Sequence, residues 1–131
     1  MTAVTRLHTF VDLADDPDRR RLSFVVRHEA VLDDGRRVLL LDDRGWAQLP
    51  HGGDPDLWTQ LTAADVEHLA RTVVGPDEPL DGETADEMEA LHWGALASAL
   101  REHGIGLAPS DLRALPHEVE LGERVRARLH R

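Results

Sequence analysis

Two histidines and a glutamate are the residues of this sequence best placed for acid–base or metal chemistry. On a predicted helix, Asp86, Glu89 and His92 follow one another at intervals of three residues. A Glu-x-x-His pair at this spacing places a carboxylate and an imidazole over the same helical turn. Glu89 and His92 are therefore candidate metal ligands and candidate catalytic residues. The alternative is that His92, near the centre of the apolar stripe of its helix, is a hydrogen-bonded core residue.

A third candidate lies on a predicted strand. His28 interrupts an apolar row between Val26 and Ala30. If the helix packs on this face of the sheet, His28 and His92 meet, with Glu89 close behind them. A buried imidazole pair beside a carboxylate is a candidate catalytic site. The competing interpretation is that each histidine bonds to a backbone carbonyl or to water.

Several chemistries are excluded by what the sequence lacks. The chain of 131 residues has no cysteine, which rules out disulfides, thiolate metal sites and a thiol nucleophile. The sequence contains no Walker motif, no Gly-x-Gly-x-x-Gly and no His-Glu-x-x-His, and no serine sits in a nucleophile elbow. We therefore predict no cofactor.

The net charge of the chain limits the classes of molecule that it can bind. The formal net charge is −10, so the molecule as a whole repels nucleic-acid phosphates and anionic lipid. The sequence shows no apolar leader segment and no membrane span. We expect a cytoplasmic protein that binds neither nucleic acid nor membranes.

A protein-binding surface is the second functional hypothesis. Trp46 follows a turn and Trp58 lies in a loop, while Asp77 and Glu78 belong to an acidic loop after the first predicted helix. Aromatic side chains among carboxylates are typical of surfaces that bind protein partners. The alternative for the tryptophans is that they close the core, because the chain has few aromatic residues.

The first third of the chain has the pattern of a sheet. Short-period alternation predicts strands over 4–13, 22–32, 36–41 and 46–49. Gly35 is expected to supply a positive φ in the hairpin between the second and third strands. A two-residue turn at Asp34-Gly35 would set Arg27 opposite Asp42. A three-residue loop with a bulge at Gly35 sets Ala30 opposite Val38 and His28 opposite Leu40, and we favour this register because it joins two apolar rows on one face.

The remainder has the pattern of helices. Thr62 and Thr84 are N-cap candidates for a helix over 63–74 and for a longer helix that runs to His103. A short helix that starts at Ser110 and stops near Pro116 follows, and after it come an extended piece over 118–121 and an amphipathic final helix over 123–130. Strands before helices predict an α+β fold, with an N-terminal antiparallel sheet of three to four strands packed against two to three C-terminal helices. We expect a single domain over 1–131, mainly β in 1–50 and mainly α in 60–131.

Three strings of the sequence, at 24–30, 73–79 and 115–119, read FVVRHEA, VVGPDEP and LPHEV. They resemble the corresponding strings of a group of small acidic proteins from GC-rich bacteria. The absence of Lys, Asn and Tyr agrees with a GC-rich genome. The resemblance implies a self-sufficient domain and brings no activity with it.

These observations favour a non-enzymatic module with an acidic surface that binds a protein partner, such as a basic one, or associates with itself. The alternative is a small metal- or His/carboxylate-dependent enzyme or ligand sensor built on His28, Glu89 and His92.

Overall fold

The computed structural model describes residues 3–14, 22–48 and 61–129. The α+β class is confirmed, with a mixed sheet and four helices in these residues. In chain order the elements are β1 Val4–Leu13, β2 Leu22–Leu32, β3 Arg37–Leu41, β4 Gly45–Gln48, α1 Ala63–Val73, α2 Ala85–Glu102, α3 Pro109–Arg113, β5 His117–Leu121 and α4 Glu123–Leu129. The helices thus follow the first four strands, and one strand lies among them.

The sheet is mixed where a purely antiparallel one was expected. Its strand order is β3-β2-β1-β5, with β4 pairing to β2 beyond this path. Strands β1 and β2 are antiparallel, but β5 runs parallel to β1. A parallel pair needs a long crossover, and the helices between β1 and β5 supply it. The C-terminal part of the chain therefore completes the N-terminal sheet.

The hairpin between β2 and β3 has the predicted turn and most of the predicted register. Gly35 has φ +87°, and Ala30 pairs with Val38. The expected pairing of His28 with Leu40 is wrong, because the register shifts between His28 and Glu29 and sets His28 opposite Leu41. The extra residue in β3 lets Leu40 and Leu41 both pack against the core.

The core lies on one face of the sheet and has two parts. Helices α2 and α3 cover the first part, and α1 and α4 cover the second. On β1, Leu7 belongs to the first part and Val11 to the second, with Thr9 between them on the same face. Because Thr9 pairs with His28 on β2, two polar side chains occupy the seam between the two apolar clusters.

The opposite face of the sheet carries a ladder of polar contacts between charged side chains and His8. Arg6 pairs with Glu118 at 3.1 Å, and His8 lies 3.2 Å from Glu120. Arg37 Nη1 lies 3.2 Å from His8 Nδ1. Charged residues at alternate positions thus keep this face polar, although such partly exposed pairs add little to stability.

Gly94 offers a stabilising substitution in the middle of α2. A Cβ added there would meet no atom within 4 Å. We expect Gly94→Ala to raise the free energy of unfolding by roughly 0.5–1 kcal/mol, because alanine costs less backbone entropy in a helix. Urea unfolding checks this. Gly45→Ala is the contrasting variant, since its Cβ would overlap the Phe24 carbonyl oxygen; an equal gain in both variants contradicts the prediction.

Candidate functional site

His28 is the centre of a buried polar cluster, although not with the partners that the sequence suggested. Its Nδ1 lies 2.8 Å from Oγ1 of Thr9, and the same Oγ1 lies 2.6 Å from Nε2 of His117. The two imidazole rings meet edge to face, with centroids 5.2 Å apart. Thr9 is 0% and His28 is 1% exposed. We call His28, Thr9 and His117 the histidine–threonine bridge.

Both imidazoles of the bridge are neutral at physiological pH. Burial lowers the pKa of His28 to about 3, and repulsion from the protonated forms of His117, His92 and His8 and from Arg44 acts in the same direction. A neutral imidazole has one N–H and one acceptor nitrogen, and a hydroxyl can donate once and accept twice. The arrangement that gives every polar hydrogen of the three groups an acceptor has Thr9 donating its proton to one histidine and accepting the N–H of the other.

His117 is the half-buried member of the bridge. Burial lowers its pKa to about 4, and the charges of Arg71 and His8 act in the same direction. Arg71, on α1, also donates from Nη1 to the His117 carbonyl oxygen at 2.8 Å. The first residue of β5 is thus held both by β1 and by a helix.

His92 lies near the bridge but is not part of it. It is 7% exposed, and its Nε2 is buried with no hydrogen-bond partner within the described part of the chain. Burial and the charge of Arg44 lower its pKa, against the opposing effect of Asp77 and Glu89. His92 is close enough to His28 for its charge to lower the pKa of that residue, so the two predicted histidines do lie in the same region.

Glu89 is turned to other partners. Its Oε2 accepts from Nε1 of Trp93 at 3.0 Å and lies 3.3 Å from Nη1 of Arg113. The carboxylate therefore joins α2 to the end of α3. Among residues 3–14, 22–48 and 61–129, no group of three or more His, Asp or Glu side chains is arranged to hold a metal ion.

Thr9 and His117 are the site residues that sequence reasoning missed. Alternation along β1 places Thr9 on the same face as Leu7 and Val11, and this signal was available. His117 reaches Thr9 because β5 pairs in parallel with β1, and Thr9 lies opposite Val119 in that register. Nothing local to residues 117–121 indicates which strand they pair with.

The predicted partner-binding aromatics have different positions. Trp46 is half-buried and stacks on Phe24, with ring centroids 4.5 Å apart and planes 10° apart. Its Nε1 is buried, with no hydrogen-bond partner in the described ranges. Trp58 lies outside the described residues. The ring of Trp46 thus packs with the core at the end of the sheet.

The predicted acidic residues belong to residues 76–91, a mostly exposed segment that we call the acidic surface. Its charged side chains are all carboxylates: Asp77, Glu78, Asp81, Glu83, Asp86, Glu87 and Glu89. Two large apolar side chains stand among them, with Leu80 75% and Leu91 63% exposed. Glu78 is exposed, and Asp77 pairs with Arg44 at 3.2 Å.

Arg44 fixes the start of the acidic surface to the sheet. It lies in the connection between β3 and β4, and its Nη1 donates to the carbonyl oxygens of Val73 and Gly75 at 3.0 Å each. The guanidinium thereby binds the C-terminal end of α1, where carbonyl groups lack helical partners. The acidic surface therefore begins at a fixed place in the fold, next to His92.

The arrangement separates two kinds of chemistry. Thr9 and His28 are closed to solvent, so the hydroxyl and imidazole protons of the bridge lie inside the fold. The acidic surface is open and carries both charge and apolar side chains.

In the part of the chain that the structure covers, no helix is long and apolar enough to span a membrane. Comparisons with protein-family models, with curated protein sequences and with solved structures find no match to this chain.

Proposed function

We propose that this protein is a non-enzymatic binding module whose acidic surface engages a basic protein partner. The observation that carries the proposal is the exposure of Leu80 and Leu91 within a segment whose only charged groups are carboxylates. Exposed apolar side chains provide contact area that excludes water, and the surrounding charge selects and steers the partner. The matching chemistry is an amphipathic segment with leucine and arginine side chains.

The condition of the carboxylates supports this proposal. Asp77 and Glu89 are paired with Arg44 and Arg113. The other five acidic residues of the surface have no arginine partner within the described residues: Glu78, Asp81, Glu83, Asp86 and Glu87. Their negative charge is therefore available to an incoming cation, and it raises the rate of association at low salt.

The alternative, an enzyme or ligand sensor built on His28, Glu89 and His92, has less support. His28 is buried at the seam of the core, and Glu89 is engaged by Trp93 and Arg113. A general base needs hydrogen-bonding reach to a substrate proton. The proposal also includes a cytoplasmic location. The net charge of −10 supports partners other than nucleic acid.

The test uses a synthetic amphipathic peptide with a leucine face and an arginine face as the probe. We expect amide shifts in NMR titrations to concentrate at Leu80, Leu91 and their neighbours. The double variant Glu78→Arg/Asp81→Arg should weaken peptide binding about tenfold, because two attractive charges become repulsive. Added salt should reduce the affinity of the original protein more than that of the variant.

The matched control is Asp33→Arg/Glu102→Arg, which changes the net charge equally at exposed positions outside the acidic surface. Its affinity for the peptide should stay close to that of the original protein. Equal losses in the two double variants would show attraction to net charge alone. Shifts that map to the sheet face instead of Leu80 and Leu91 would also reject the proposed surface.

A further inference from the structure

The histidine–threonine bridge joins three strands through one hydroxyl group. Thr9 lies on β1, His28 on β2 and His117 at the start of β5. Strand β5 has five residues and ends the strand order, with β1 as its neighbour in the described sheet. The bridge is therefore a side-chain attachment between an edge strand and the buried centre of the sheet.

We propose that the histidine–threonine bridge is an acid-released latch that holds β5 and the following helix α4 against β1. At neutral pH the latch is closed, and at mildly acidic pH it opens at the edge strand before the rest of the domain unfolds. This inference goes beyond the proposed binding function and does not depend on it.

Proton counting at Thr9 gives the physical basis of the latch. With both imidazoles neutral, the hydroxyl donates to one ring and accepts from the other. One added proton leaves a bridge that is still complete, since Thr9 can donate to the remaining neutral ring. When both ring nitrogens that face Thr9 carry protons, both must donate to its oxygen, and the hydroxyl proton loses its acceptor among the three groups. Two adjacent cations would then lie in a buried site, which is costly. The closed bridge therefore stays neutral at mildly acidic pH, and His117 takes up a proton there only once β5 has opened.

The groups around the bridge add to this cost. His28 faces His117 from β5, His92 from α2, the Arg44 guanidinium, and His8 from the other side of β1. Each of these groups lowers the affinity of His28 for a proton.

His117 faces the Arg71 guanidinium from α1 together with His8. The carboxylates Asp77 and Glu89 act on His92, the neighbour of the bridge. Protons on the two bridge histidines therefore meet a mainly cationic environment, and separation of the rings relieves it.

The edge strand is the part that moves. Strand β1 is flanked by β2 and β5, and β2 by β1 together with β3 and β4. Strand β5 has five residues and a ladder to one strand, so its local opening requires the least loss of structure. The His117 ring then reaches water, where its pKa returns toward 6.5.

The test is amide hydrogen exchange of the full chain at about pH 7.5 and pH 5.0, with rates corrected for intrinsic exchange. We expect protection of the β5 amides Glu118 and Glu120 to fall between roughly 10- and 30-fold at the lower pH, as the shift in the pKa of His117 implies. The β2 amides Val26 and Ala30 exchange through global unfolding, so their protection should remain higher than that of the β5 amides at both pH values. Equal protection of the two strands at pH 5.0 would mean that β5 opens only with global unfolding and would overturn the latch.

Two variants assign the effect to the bridge. In His117→Gln the side-chain amide keeps a polar group near the Nε2 position but does not titrate, so the pH dependence of β5 protection should largely disappear. His68→Gln removes an exposed histidine of α1 and should leave that dependence intact. Persistence of the full pH dependence in His117→Gln would refute the proposal.

A measurement on the unmodified protein covers the case in which His117→Gln does not fold. Nitrogen-15 shifts of the imidazoles follow the protonation of His28 and His117 directly. We expect both rings to be neutral at pH 7 and to titrate well below pH 6.5, with His117 near pH 4 and His28 near pH 3. Protonation of His117 near pH 6.5 with β5 still protected would also refute the latch.

Discussion

Lowering the pH from about 7.5 to 5.0 will reduce the free energy of unfolding by about 2 kcal/mol through His28 alone. The pKa of His28 is lowered from 6.5 to about 3 in the folded protein, first by burial and then by neighbouring positive charge. Each pH unit between the unfolded and folded pKa values is worth about 1.4 kcal/mol per group. His117 adds a smaller amount, because solvent screens this half-buried ring.

The direction follows from which state binds more protons. Above pH 6.5 His28 is neutral in both states, and its contribution to stability is fully present. Below pH 6.5 the unfolded chain takes up a proton that the folded protein refuses, so stability falls with pH. The loss continues until the pH approaches the folded value of about 3. The stability contribution of His117 is lost in the same way between pH 6.5 and about pH 4.

Urea unfolding at a series of pH values and constant ionic strength measures this loss. The reference variant is His28→Asn, whose side-chain amide retains a polar group near the Nδ1 position facing Thr9. The difference in pH slope between the two proteins isolates His28, because their carboxylates contribute equally. His68→Gln should keep the original slope. Parallel pH curves for the original protein and His28→Asn would contradict the predicted loss.

The strands and long helices were predictable because their signals are local. Alternation fixed β1 and β2, and Gly35 with its positive φ marked the hairpin between β2 and β3. Thr62 accepts from the Asp65 N–H, and the Asp65 carboxylate accepts in turn from the Thr62 N–H, at 3.1 Å each. Periodicity, turns and caps each depend on residues a few positions apart.

The pairing of β5 was not predictable in the same way. The extended segment 118–121 was expected, but its partner is β1, more than a hundred positions earlier in the chain. That pairing depends on how the helices cross the sheet, and a single sequence gives no direct information about this crossing. The local shift that sets His28 opposite Leu41 also arises from tertiary packing, since it lets two successive leucines reach the core.

The candidate site shows the same division. His28 was singled out because it interrupts an apolar row, and it does lie at a polar seam of the core. Its direct partners are Thr9 and His117, which reach it through pairing of β1 with β2 and with β5. Glu89 was grouped with His92 by helical spacing, yet its Oε2 binds Trp93 and Arg113. Spacing predicts which residues share a helix face, whereas tertiary contacts decide which atoms meet.

Gly122 and Asp12 form the other contact on which stability depends strongly. Oδ1 of Asp12 accepts from the N–H of Leu13 at 2.9 Å and from the N–H of Val125 at 3.2 Å. The second bond satisfies a free donor in the first turn of α4, a role that a local N-cap side chain usually has. Because Gly122 has no side chain, the carboxylate from β1 can occupy this place.

We expect Gly122→Ala to reduce the free energy of unfolding by about 2 kcal/mol, because the new Cβ would overlap the Asp12 carboxylate and displace it from α4. Asp12→Ala should cost about 1 kcal/mol through loss of the cap. In the double variant the overlap is gone, so the combined loss should be smaller than the sum of the two single losses. Urea unfolding of all four proteins gives this coupling.

Gly106→Ala is the matched control for the added methyl group. A Cβ at Gly106 would meet nothing within 4 Å, so its effect should be small and should add to that of Asp12→Ala. A Gly122→Ala loss that also adds fully to the Asp12→Ala loss would show that the alanine acts on something other than the carboxylate. A sub-additive loss at Gly122 together with simple addition at Gly106 identifies the approach of Asp12 to Gly122 as the contact that docks α4 onto β1.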